Sequence, residues 1–128
     1  MPKQDEVRLA VPATPEFLRL ARVTAAGLAS RLGFTFDEVD DLRLAIDELC
    51  FALIGAAGRT GTVELRYRLQ DEGLEVFGTG HFEDADHNKA ELTDLSELIL
   101  DALVDEHELA SGTGGPTFRL VKRRNAAE

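Results

Sequence analysis

The chain has 128 residues, the size of one domain (1–128) with room for a buried core. Its 14 Lys and Arg against 24 Asp and Glu give a formal net charge of −10, and basic residues cluster only at Lys122, Arg123 and Arg124, which argues against direct nucleic-acid binding. The opening residues lack the apolar stretch of a signal peptide, no run approaches a membrane span, and Cys50 is the only cysteine; a cytoplasmic protein without an internal disulfide is expected.

Val7, Leu9 and Val11 alternate with Arg8 and Ala10 as in a half-buried strand, which Pro12 ends. Thr14 offers a capping oxygen, Pro15 suits the first helical position and Gly33 a left-handed stop, which frames a helix from Pro15 to Leu32. Thr35 and Glu38 have the spacing of a capping box, and Phe34 and Val39 that of a hydrophobic staple, so a second helix starts here. Val39, Leu42, Ile46, Leu49 and Leu53 recur on one face of it, and GAAGRTG (55–61) ends it. Cys50, on this apolar helix, reads as a small packed hydrophobe.

Val63, Leu65, Tyr67 and Leu69 alternate with charged residues, DEG (71–73) turns the chain, and LEVFG (74–78) returns it, which predicts an antiparallel hairpin. The acidic segment 81–91 reads as a polar loop. Leu95, Leu98, Ile99, Ala102 and Leu103 mark a third helix, and HELAS (107–111), GTGG (112–115) and TFRLVKR (117–123) a closing hairpin. Long strands with one apolar face and three amphipathic helices fit an α+β fold, a two-layer α/β sandwich whose mostly antiparallel sheet is covered on one side.

The run VPATPEFLRLARVTAAGLASRLGFTFDEVDDLRLAIDELC (11–50), with LILDALVDEHEL (98–109) and TFRLVKR (117–123), resembles the anti-sigma factor serine kinases of the Bergerat-fold (GHKL, HATPase_c) ATPase superfamily. That resemblance implies a homodimeric switch protein that holds a sigma factor away from RNA polymerase. It is released through a STAS-type anti-sigma antagonist, which the family phosphorylates on serine with ATP and Mg²⁺.

Residue by residue, the resemblance makes Glu48 the candidate general base, a carboxylate able to accept the proton of a serine hydroxyl. Glu48 also fits a solvated acidic face with Asp37, Asp40, Asp41 and Asp47. One turn on, where the family has a Mg²⁺-ligating asparagine, stands Ala52, whose methyl group cannot coordinate a hard cation. The family's adenine-reading aspartate would fall near Gly78 and Gly80, where no carboxylate occurs; Glu83 and Asp84 come late, and the two glycines suit a turn. The glycine-rich lid is reduced to the segment from His81 to Leu92, and 111–115 suits a hairpin turn better than a phosphate loop. Phe51 and Leu44, on the face away from the core, either pack on another element or fill nucleotide space; contact with the neighbouring helix and nothing more is the plain alternative. Arg22, within ARVTAAG (21–27), stands where the family has a partner-binding arginine, whose fork suits a carboxylate; a solvent-facing helix arginine is the plain alternative.

The expected function is thus an anti-sigma-factor-like regulator with a degenerate nucleotide site and no cofactor. An active ATP- and Mg²⁺-dependent serine kinase is the second reading. A metal-binding enzyme built on the loop from His81 to His87 is a weaker third, because that spacing matches no standard motif and no metal site is expected.

Overall fold

Strand β1 (Glu6–Pro12), helix α1 (Pro15–Arg31) and helix α2 (Phe36–Ile54) lead into the hairpin of β2 (Gly61–Leu69) and β3 (Gly73–Phe82). Helix α3 (Asp94–Leu103) and the hairpin of β4 (Glu106–Ala110) and β5 (Thr117–Arg123) complete the chain in the computed structural model, which describes residues 5–83, 91–112 and 114–124. The strands form one sheet in the order β1-β2-β3-β5-β4, with every pair antiparallel.

Period-two alternation sorts the sheet into two faces. Registers Leu9↔Leu65, Val11↔Val63 and Tyr67↔Val76 put the apolar residues of neighbouring strands on the helix-facing side. The opposite face is charged: Arg119 pairs with Glu75 and Glu106, Arg68 reaches Glu75, and Arg8 pairs with Glu6. Phe77 lies there beneath the guanidinium groups of Arg66 and Arg68, 4.8 and 5.3 Å from its ring centroid. The arginine stems shield this aromatic ring while their charged ends reach acidic partners.

α1 packs through Leu18 and three small residues, Ala21, Ala25 and Ala29, its buried positions. Alanine every fourth residue gives the helix a flat seam, and Tyr67 from β2 donates its hydroxyl to the Ala21 carbonyl at 2.8 Å. Burial pushes the Tyr67 hydroxyl pKa up, so it remains a donor. Thr14 is the N-cap residue by position, but its side chain makes no cap bond, and its buried Oγ1 has no protein hydrogen-bond partner. The expected capping oxygen is therefore turned inward, and the first turn begins on Pro15, whose missing N–H requires no acceptor.

The α2 capping box forms as expected: Glu38 N–H donates to Thr35 Oγ1 at 3.2 Å, and Thr35 N–H donates to Glu38 Oε1 at 2.8 Å. Leu42, Ile46, Leu49 and Leu53 form the buried stripe, with Val39 at its margin.

One further expectation needs correction. Gly78 and Gly80 make no turn, and His81 and Phe82 do not begin a loop; β3 runs on through all four residues. Gly78 pairs with Leu65 on one side and Phe118 on the other, so ladder hydrogen bonds outweigh the turn tendency of the glycines. Their missing side chains leave space that aromatics occupy, the Phe118 ring over Gly78 and the Phe82 ring over Gly80. In α3, Leu95 and Leu98 are 66% and 67% exposed, whereas Leu100 is fully buried. The apolar side of α3 is wider than the strip that docks on α2 and β4, so Leu95 and Leu98 stay open to solvent while Leu100 is enclosed.

Candidate functional site

The 3.6-residue period of α2 carries two functions. While Leu42, Ile46, Leu49 and Leu53 point into the core, Leu44, Asp47, Glu48, Phe51 and Ala52 face away from it. Glu48 is partly buried, and its Oε2 accepts a hydrogen bond from the Ser96 hydroxyl of α3 at 2.5 Å. A carboxylate within this distance of a serine hydroxyl has the geometry required of a general base. Ala52 lies one turn beyond on the same face and contributes only a methyl group.

Arg22 of α1 donates through Nη1 to Oδ2 of Asp47 at 2.9 Å, a contact that ties α1 to α2. Its fork thus engages a carboxylate of its own chain, with the side chain 31% exposed. Exposed Val23 follows it, and Phe17 and Leu20 are also open on α1. Leu44 and Phe51 are 50% and 55% exposed.

Gly78 and Gly80, at the positions compared with an adenine-reading carboxylate, sit in the packed strand. A Cβ on Gly78 would meet Phe118 ring atoms at 2.3, 2.6 and 2.7 Å. Phe118 is itself 2% exposed, so this place holds core packing. A concavity of about 300 Å³, lined by Arg66, Phe77, Thr79 and Arg119 among others, lies on the charged face of the sheet rather than beside Glu48. Cys50 is buried, and desolvation, with the charge of Asp47 adding to it, pushes its thiol pKa up from 9.0 to about 12. It is the packed hydrophobe expected from its surroundings.

Of the histidine loop, His81 lies at the end of β3, its side chain 53% exposed and 3.9 Å from Glu64. Asp84, Asp86 and His87 lie outside the described residues; among the described residues no group of three or more His, Cys, Asp or Glu could hold a metal ion. Glu83 follows the strand, its N–H bonded to the Thr60 carbonyl at 3.0 Å.

Sequence reasoning missed Ser96, Thr93 and Asp47. Thr93 and Ser96 carry a legible signal, a threonine N-cap three residues before a serine, but nothing local links them to a helix half a chain away. Asp47 was visible only as one acid among several.

Among the described residues, an antiparallel five-stranded sheet backed by three helices has the architecture of the Bergerat fold. A family model described as "Histidine kinase-like ATPase domain" matches residues 11–122, and the chain belongs to that family. The serine-protein kinase RsbW of Bacillus velezensis is 30% identical across 86% of this chain and 81% of the relative. RsbW of Bacillus subtilis is 37% identical over 75 residues, which are 56% of this chain and 47% of the relative. The chain thus spans about half the length of the Bacillus subtilis protein it matches. The crystal structure of the RsbU and RsbW domains of a Mycobacterium tuberculosis protein superposes with a TM-score of 0.69, at 18% identity, over 94% of this chain and 32% of that chain. The resemblance to the anti-sigma factor serine kinases is therefore real, and the fold it implied is the fold observed. No helix among the described residues is long and apolar enough to cross a membrane.

Proposed function

We propose that this protein is an anti-sigma-factor-like regulator that binds a sigma factor, a STAS-type antagonist or both, and that its nucleotide site is degenerate. One observation carries the reading: on the α2 face that presents Glu48, the next turn offers Ala52, which has no side-chain oxygen or nitrogen with which to hold Mg²⁺. Packing of Phe118 against Gly78 supports it, because a carboxylate there would have no room. The donor set thus does not fit MgATP, and no catalytic step is assigned to it.

Binding would fall to α1, where Arg22 and exposed Val23 form part of an accessible face. The Asp47 contact holds the guanidinium in a set direction, which lowers the ordering cost of meeting a partner carboxylate. Two partners that compete for overlapping surface can displace one another without phosphate transfer. A homodimer acting in the cytoplasm completes this reading.

The second reading, an ATP-dependent serine kinase with Glu48 as base, is favoured by the kinase names of the relatives and by the Glu48 contact to a hydroxyl. Titration calorimetry with MgATP, together with phosphate transfer to a STAS domain, separates the two. No heat and no transfer is the expected result; micromolar binding or a phosphorylated antagonist establishes the kinase instead. Arg22→Ala is expected to weaken capture of the sigma factor from native extract, and undiminished capture would remove α1 from the interface.

A further inference from the structure

The Glu48 carboxylate already has a hydroxyl bound to it. Ser96 Oγ donates to Glu48 Oε2 at 2.5 Å, and a serine hydroxyl has one proton to give. Thr93, the N-cap of α3, secures Ser96 twice: its Oγ1 accepts from the Ser96 N–H at 3.0 Å and lies 3.0 Å from the Ser96 hydroxyl as its donor. The result is a chain of three groups, Thr93 to Ser96 to Glu48, that joins the start of α3 to the functional face of α2.

The other anchors of α3 lie toward its far end, where Asp101 Oδ1 meets His107 Nε2 at 2.7 Å and the Leu103 carbonyl accepts from Lys122 Nζ at 2.7 Å. Leu100 is its one buried residue, near the far end, while Leu95 and Leu98 beside the Ser96 contact are mostly exposed. A segment with little buried apolar area opens locally at low cost. Its first turn is therefore held mainly by the polar contact to Glu48, and loss of that contact would both loosen that turn and uncover the carboxylate.

We infer that Ser96 is an internal occupant of the hydroxyl-binding position at Glu48, and that the first turn of α3 is a latch which a serine or threonine side chain of a partner must displace. This rests on the second reading above, in which Glu48 is the group that receives a partner hydroxyl. A partner hydroxyl that takes the Ser96 position on Oε2 must turn the Ser96 hydroxyl away, which couples engagement at that oxygen to release of the first turn of α3.

Carboxyl footprinting of the intact protein with a carbodiimide and glycine ethyl ester, read by mass spectrometry, measures the masking directly. Ser96→Ala is expected to raise the labelling rate of Glu48 several-fold, with Asp40 and Asp41 on the same helix unchanged as internal controls. Hydrogen exchange supplies a second readout from the other side of the contact: Glu48→Ala should speed amide exchange in the first turn of α3 by about tenfold, and adding Ser96→Ala to it should bring no further increase. Equal Glu48 labelling in wild type and Ser96→Ala, or exchange effects that simply add, overturns the latch. Neither measurement involves a sigma factor, an antagonist or nucleotide, so failure here is distinguishable from failure of the proposed function.

Discussion

Replacing Gly78 with alanine places a methyl carbon 2.3 Å from Cε2 of Phe118, with Cζ and Cδ2 at 2.6 and 2.7 Å. Carbon atoms pack comfortably at about 3.5–4.0 Å, so the ring must retreat by roughly an ångström. Phe118 is 2% exposed and belongs to the core cluster, which leaves it nowhere free to go. Overpacking of this kind costs about 1–3 kcal/mol. Phe118→Ala alone should cost about 3–5 kcal/mol through lost burial and the cavity it leaves. The informative variant is the double one. With the ring gone, the methyl introduced by Gly78→Ala enters vacated space, gaining about 0.8 kcal/mol of burial and relieving the strand of a glycine worth about 0.5–1 kcal/mol. Gly78→Ala should therefore change sign between the two backgrounds, a coupling of about 2 kcal/mol or more. Equilibrium urea denaturation of wild type, both single variants and the double variant measures it. Additivity within about 0.5 kcal/mol would refute the claim that this glycine serves the Phe118 ring.

Two further outcomes follow from particular contacts. Thr35→Ala removes the side-chain half of the capping box and should cost about 1 kcal/mol, whereas Thr14→Ala removes a hydroxyl that makes no cap bond and should stay within about 0.5 kcal/mol; equal losses in thermal melts would show the Thr14 assignment wrong. Cys50, its pKa raised to about 12 by burial, should not react with a disulfide reagent at neutral pH until the protein is unfolded in urea. Because the folded thiol titrates above its ordinary 9.0, its contribution to stability is complete below that pH and declines as pH rises toward about 12. Cys50→Ala should flatten that alkaline decline, and rapid modification of the native thiol would contradict the burial argument.

How much of the site is legible in the sequence depends on the range of the interactions. Spacing alone places Glu48 and Ala52 on one helix face, and the structure keeps them there. The fork of Arg22 suits a carboxylate, and it does meet one, but on the adjacent helix of its own chain. Gly78 and Gly80 mislead because glycine pairs in isolation favour turns, and only pairing with β2 and β5 reveals that they lie in a strand beneath aromatic rings. Ser96 escapes notice because its meaning comes from a residue 48 positions away.

Local chemistry in the chain itself determined the elements and the orientation of most of them: alternation made the strands, the Thr35 and Glu38 pair started α2, and the apolar row from Leu42 to Leu53 chose the buried face. Those signals act within one or two turns, where neighbours along the chain are neighbours in space. Tertiary structure alone decided which side of α3 is buried, what fills the space above Gly78 and which hydroxyl reaches Glu48. Each of those outcomes depends on how separate elements pack, and the packed arrangement is set by total burial and polar pairing across the whole fold rather than by any single segment.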